Sequence, residues 1–340
     1  MPTGKDRHAQ SRTSQEWARP GKLGIEGGPV AAVPRLYLIN PAGRRYLMHA
    51  WKSTKTPPYL IDWSGDKKRA LLGTFAGYEQ ITLDSGKVSR FSLPGSAQAL
   101  SYTRPDGLNI FGARPDGAKT RLVRDTLSGH QAKVLVTGSD YYTAVYSDNG
   151  ATLAAPGGPG LVLVSNGGGV VRKLPVPSTS RGGCNPARWW NASTILASCP
   201  PKSGAASRLW LIPASGARPR ALTPQRGSHS RDLGDTDAWR LPSGLYLQAL
   251  GPCGTVQIFR QLSSGAIKLV TIPGAAGNNN RILTARGARL LVRAQTGCPG
   301  SESLLWFNPS TRRVQMLLRA PKNDAGVIGA IPYGKPVNVS

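Results

Sequence analysis

The 340-residue chain predicts an all-β fold built from one repeated four-stranded unit, and three observations carry that expectation. A turn, usually Gly-centred, recurs at Gly43, Gly86, Gly129, Gly168, Gly216, Gly265 and Ser310, with gaps of 43, 43, 39, 48, 49 and 45 residues. A second series interleaves with it at Ser64-Gly65, Asp106-Gly107, Asn149-Gly150, Ala192-Ser193, Ser243-Gly244, Arg286-Gly287 and Gly334-Lys335. The runs between turns, such as Tyr59-Leu60-Ile61 and Thr255 to Phe259, are β-branched or aromatic, and no amphipathic helical period appears.

A period of this length with two hairpins in it marks a propeller, each period forming one blade with strands a to d. Asp-Gly, Asn-Gly and Ser-Gly supply the positive φ of tight hairpins, so the second series makes the a–b turns and the first the c–d turns. The chain opens on a lone c–d hairpin, Leu36 to Trp51, and closes on a lone a–b hairpin, Val327 to Val339. The two halves add up to one blade. The expectation is therefore a seven-bladed β-propeller of four-stranded antiparallel blades, with one blade closed by N-terminal and C-terminal strands. Six blades with irregular ends is the rival count. Residues 35–340 form the propeller, and residues 1–34, polar and rich in Gly, Pro and charge, read as a disordered or linker segment.

The formal charge of +26 is unevenly spread: no Asp or Glu occurs between Asn149 and Arg231, or between Ala238 and Ser301. Such a field attracts polyanions. No run of four basic residues occurs, however, and scattered solvated charge is the simpler reading, so nucleic acid ranks behind other partners. No stretch has the apolar length of a membrane span, and Met1 to His8 lacks the apolar core of an export signal.

The cysteines point to an oxidising compartment. In a propeller the b–c and d–a connections share one face and the a–b and c–d turns the other. Cys184 and Cys199 flank one a–b hairpin, while Cys253 and Cys298 fall in the b–c loops of the next two periods. All four belong on one face, and the pairs Cys184–Cys199 and Cys253–Cys298 follow. Other pairings, unpaired thiols and a four-thiolate zinc site are the alternatives, and no Cys-x-x-Cys pair supports zinc.

Candidate ligand-binding residues lie on loops of that face: Asp140, Arg181, His229, Asp232, Asp235, Asp237, Asn278, Asn279 and Arg281. The segment 228–237 gathers three carboxylates and a histidine, a set suited to calcium or to acid–base work. Its bland reading is that Asp235 and Asp237 begin a strand and offset nearby arginines. No nucleophile elbow or zinc-protease helix occurs, and no catalytic residue, cofactor or metal is assigned.

The residues before the a–b turns carry a resemblance. Asp62-Trp63-Ser64-Gly65, Tyr102 to Gly107, Tyr146-Ser147-Asp148 and Trp239 to Gly244 resemble degenerate copies of the W-S-P-D-G repeat of TolB-like and other bacterial WD-repeat-like propellers. The resemblance spans about residue 36 to the end and implies a scaffold for protein or ligand contact, with no catalytic residues to carry over. The functional expectation is a monomeric, non-enzymatic scaffold, extracellular or attached to the cell envelope, that binds a protein or anionic envelope ligand on the cysteine face. The alternatives are a propeller lyase or glycoside hydrolase using residues 229–237, polyanion binding, and a cytoplasmic location.

Overall fold

The computed structural model describes residues 14–17, 35–40, 42–52, 58–128, 130–138, 143–203, 205–226, 234–251, 255–275, 279–295 and 302–319. The described residues form six four-stranded antiparallel sheets and one three-stranded sheet. The three-stranded sheet holds β1 (Ser14–Trp17), β2 (Arg35–Ile39) and β3 (Arg45–Ala50). Blade I comprises β4 (Tyr59–Trp63), β5 (Arg69–Thr74), β6 (Gly77–Thr82) and β7 (Val88–Phe91). Blade II comprises β8 (Gln98–Tyr102), β9 (Asn109–Asp116), β10 (Lys119–Thr126) and β11 (Gln131–Gly138). Blade III comprises β12 (Val145–Tyr146), β13 (Thr152–Gly157), β14 (Gly160–Ser165) and β15 (Val170–Leu174). Blade IV comprises β16 (Asn185–Asn191), β17 (Thr194–Cys199), β18 (Arg208–Pro213) and β19 (Arg220–Ala221). Blade V comprises β20 (Gly234–Leu241), β21 (Gly244–Leu250), β22 (Val256–Gln261) and β23 (Ile267–Leu269). Blade VI comprises β24 (Asn279–Arg286), β25 (Arg289–Gln295), β26 (Glu302–Asn308) and β27 (Arg313–Arg319).

Two expectations are corrected. Among the described residues there are six four-stranded blades, not seven, and none combines N-terminal with C-terminal strands. The reason is an edge already taken. The edge of β2 that the C-terminal hairpin was to fill pairs instead with β1, in the register Ser14↔Ile39 to Trp17↔Leu36. The expected closing hairpin, 327–339, lies outside the described residues. β1 itself falls within the 1–34 segment.

Among the described residues, side-chain packing, not strand pairing, joins the three-stranded sheet to blades I and VI. Leu36, Leu38, Tyr46, Met48 and Trp51 share a core with Leu60, Trp63 and Leu72 of blade I. On the other side Ile39 is buried with Leu291, Leu304, Trp306, Leu317 and Leu318 of blade VI, with Tyr37 and Leu283 packed against them. Alternation explains this division, since Leu36 and Leu38 face one way and Tyr37 and Ile39 the other. Further clusters fill the gaps between II and III, III and IV, V and VI, I and II, and IV and V. The hydrophobic core is thus a set of apolar seams between radially arranged sheets.

The first strand is bulged at an equivalent place in five blades, and that of blade IV has a second bulge at Trp190. The extra residue is Ile61, Leu100, Ala187, Thr236 or Leu283, the one unpaired residue between two register pairs. Bulges bend a strand and increase its twist. A buried or half-buried polar residue follows each, namely Asp62, Ser101, Arg188, Asp237 or Thr284.

Candidate functional site

On the turn face, the family-like repeat resolves into a structural cassette. The Ser64 hydroxyl donates to Asp66 Oδ1 at 2.5 Å and accepts the Arg69 amide at 2.9 Å. Thr103 does the same with Asp106 and Asn109, both at 3.2 Å, and Ser147 with Asn149 at 2.8 Å and Thr152 at 3.1 Å. Each hydroxyl closes its own turn and fastens the start of strand b. Consecutive cassettes touch. Arg69 Nη2 donates to the Asp106 carbonyl at 2.9 Å, and a Cβ on Gly65 would collide with the Pro105 carbonyl oxygen. Beneath them the fully buried Asp62 accepts from the Tyr102 amide at 2.9 Å and from Arg104 Nη2 at 2.8 Å. Burial pushes the Asp62 carboxyl up to about 6, against the opposing pull of Arg104. The motif residues hold blades together rather than forming a site.

The loop face is different in kind. Cys184 and Cys199 form a disulfide, both fully buried, with Cα atoms 4.2 Å apart. It joins the entry of strand β16 to the end of β17 within blade IV. Next to it the Ser180 hydroxyl donates to the Pro200 carbonyl at 2.8 Å, the Arg181 amide to the same oxygen at 3.1 Å, and the Lys202 amide to the Thr179 carbonyl at 2.9 Å. Arg181 is therefore exposed on a loop tied down at several points. The second expected bridge, Cys253–Cys298, lies outside the described residues, as do Asp140, His229, Asp232 and Asn278.

Asp235 and Asp237 are buried members of β20. Asp235 Oδ1 pairs with Arg226 Nη2 at 2.6 Å, and Asp237 Oδ1 accepts from Arg188 Nε at 2.8 Å and from the Ala238 amide at 2.7 Å. The Arg188 guanidinium also lies over the rings of Trp190 and Trp239, at 5.3 and 4.8 Å. These carboxylates tie blade V to blade IV and offset arginines, as the bland reading had it. Asn279 Oδ1 accepts the Val256 amide at 3.2 Å and so anchors β22.

Arg281 differs in its cross-strand neighbour. It is exposed, on the innermost strand of blade VI, and its direct cross-strand partner on β25 is Arg293. In the same position relative to the bulge, other blades pair Tyr59 with Gly73, Gln98 with Ala113, Asn185 with Ser198, and Gly234 with Leu250. Among these pairs only blade VI sets two cations opposite each other, and both make further interactions. Arg293 escaped the sequence reading. Pairing 279–286 with 289–295 across the turn at Gly287 would have placed it opposite Arg281.

The class of protein follows from this architecture: a β-propeller. No family model matches the chain, and no curated protein matches it either. Solved structures do. The β-propeller domain of the Trilobed protease from Pyrococcus furiosus, described as having an open velcro topology, aligns over 91% of this chain and 93% of its own, at 12% identity and a TM-score of 0.53. A putative 6-phosphogluconolactonase from Bacteroides uniformis aligns over 95% of this chain and 100% of its own, at 13% identity and 0.56. TolB from Acinetobacter baumannii aligns over 94% of this chain and 66% of its own, at 13% identity and 0.47. The chain spans about half the length of two peptidases that it also resembles, 53% and 52%. At these identities the likeness defines the fold alone. TolB stands among the similar structures; none of the three is named as a WD-repeat protein.

Proposed function

We propose that this propeller is a non-enzymatic scaffold whose loop face binds an acidic protein or an anionic cell-envelope ligand. One observation carries the reading. On that face the carboxylates of Asp235 and Asp237 are buried against Arg226 and Arg188, whereas Arg181 and Arg281 are exposed. Among the described residues, Arg181 offers a partner positive charge on anchored backbone. The Cys184–Cys199 bridge supports maturation outside the reducing cytoplasm. No helix of the described residues is long and apolar enough to cross a membrane.

The test compares two double charge reversals of the full chain, using dextran sulfate and poly-glutamate as immobilised probes. Arg181→Glu with Arg281→Glu, on the loop face, weakens capture by about tenfold or more. Arg240→Glu with Arg286→Glu, on the turn face, does not. Equal losses from both pairs would remove the face assignment. A glycosidase or lyase reading needs two carboxyl groups facing a cleft. Hydrolysis that survives Asp235→Asn and Asp237→Asn would assign any such activity elsewhere.

A further inference from the structure

We infer that the outer edge of blades II to IV is a track for a linear phosphodiester polymer of the cell envelope. Lys133, Arg172, Lys173, Arg218 and Arg220 line it, and Arg181 continues it onto the loop face. The inference rests on the reading above, that the loop face binds an anionic ligand, and names the chemical class of that ligand.

One construction occurs twice along this edge: a cation on the outermost strand of one blade lies on the c–d turn of the next. Lys133, on β11 of blade II, reaches the turn of blade III. A Cβ on Gly168 would stand 3.0 Å from Lys133 Cε and 3.5 Å from its Nζ. The Gly169 amide donates to the Leu135 carbonyl at 2.8 Å and fixes that turn against β11. Arg172, on β15 of blade III, reaches the turn of blade IV in the same way. Its Nη1 donates to the Ser215 carbonyl, and a Cβ on Gly216 would lie 3.5 Å from Arg172 Cδ and Nη1. Strand register explains both aims. Lys133 lies opposite Arg124, the cross-strand partner of Phe111, which is buried toward blade III. Arg172 lies opposite Leu163, buried toward blade IV, and Lys173 opposite Val162, buried toward blade II. The turn at Gly168 leads into β15, and the turn at Gly216 leads on to Arg218 and Arg220. β15 then runs to the loop face, where its connection to β16 carries Arg181. All these cations are exposed.

Charge, edge geometry and side-chain type select the occupant. No Asp or Glu occurs between Asn149 and Arg231, so strands β13 to β19 contribute no carboxylate to this edge. A chain of repeated negative charge complements it. β15 is bulged at Val171 and carries two adjacent cations, and both features block the addition of a peptide strand. Contact is therefore through side chains, and phosphate oxygens accept from arginine and lysine alike. Proteins that bind single-stranded nucleic acid pair a basic groove with aromatic platforms for the bases. The exposed large hydrophobics of blades III and IV are Val170 and Val171, neither of them aromatic. A polymer without bases fits that edge better. The Cys184–Cys199 bridge in blade IV favours the envelope as its source.

The full chain is titrated with poly(glycerol phosphate) at a series of salt concentrations. Log affinity is expected to fall against log salt with a slope of about −4, as the cations of the track displace counterions from the polymer. Arg172→Gln with Lys173→Gln weakens binding by about tenfold and flattens the slope by about 1. Lys133→Gln with Arg218→Gln does the same. Arg240→Gln with Arg286→Gln removes equal charge from exposed positions elsewhere and leaves affinity and slope unchanged. Equal loss from that control pair overturns the track. Tighter binding of poly-glutamate, which points to an acidic protein, or of poly(dT), which points to nucleic acid, overturns it as well. Losses from both the edge variants and Arg181→Glu with Arg281→Glu support the continuous path. If the loop-face pair abolishes capture and the edge variants do not, the track falls and the loop-face reading stands. If the edge variants alone matter, the track stands and that reading falls.

Discussion

Blades I to III and blades IV to VI solve the same architectural problem with different chemistry. In the first three, strands b and c join through two-residue hairpins, Phe75-Ala76, Gly117-Ala118 and Gly158-Pro159. Hydroxyl–carboxylate or hydroxyl–amide bonds close the turns on the opposite face, and Arg69–Asp106 and Arg104–Asp62 join blade I to blade II. In the last three, the b–c connections lengthen to eight, five and six residues, and all four cysteines fall in this half. Guanidinium–indole stacks replace the turn cassettes: Arg188 with Trp190 and Trp239, Arg208 with Trp210, and Arg289 with Trp306. Twelve of the 17 carboxylates precede Asn149. The acidic half invests its carboxylates in turns and buried pairs. The basic half exposes Arg181, Arg240, Arg281 and Arg286 to solvent.

The largest blow to that division is Asp62→Ala, which strands Arg104 as a buried charge. Unfolding in denaturant should show a loss of about 4 kcal/mol, whereas the double replacement Asp62→Leu with Arg104→Met recovers most of it. A recovery no better than the single variant would mean that the ion pair itself, and not the stranded charge, sets the cost.

Next comes the disulfide. Closing a loop of 15 residues constrains the unfolded chain by about 3 kcal/mol, so Cys184→Ser with Cys199→Ser should lose that much. Thiol reductant should cost the wild type the same amount and the double variant nothing.

The third is a pH effect of comparable size. Because the folded Asp62 carboxyl titrates near 6 and the free side chain near 3.8, ionisation opposes folding. Its contribution is fully present below pH 3.8 and fades as pH rises through 6, a span worth about 3 kcal/mol. Stability profiles of wild type and Asp62→Asn should therefore differ in slope between pH 4 and 6 and run parallel above 7. Parallel curves throughout would sink the assignment.

The smallest effect sharpens the contrast. Ser64→Ala or Ser147→Ala should each cost about 1 kcal/mol, since each removes a turn hydroxyl with two partners. Ser193→Ala, whose hydroxyl donates to Asn191 Oδ1 at 3.2 Å within its own exposed turn, should cost less.

Much of this was legible in the residue order. Gly-centred turns at two interleaved spacings fixed strand boundaries because only tight hairpins with positive φ fit them, as at Gly86, Gly107 and Gly150. The Cys184–Cys199 bridge was legible because both cysteines flank one short hairpin. Asp235 and Asp237 were ambiguous, since a carboxylate before a strand reads alike whether it faces a ligand or an arginine from the preceding blade. The sequence could not foretell that β1 would take the open edge of β2, because edge pairing is a competition between distant segments with similar backbone donors and acceptors.

The sequence by itself determined the repeat, the antiparallel blades, the turn chemistry and the uneven charge, all of which depend on contacts a few residues apart. Only the tertiary structure decided how the first sheet meets the last, which carboxylates are neutralised, and that Arg281 stands opposite Arg293. Those outcomes depend on register and facing between strands far apart in the chain. A shift of one residue turns every side chain to the other side, and no local pattern records it.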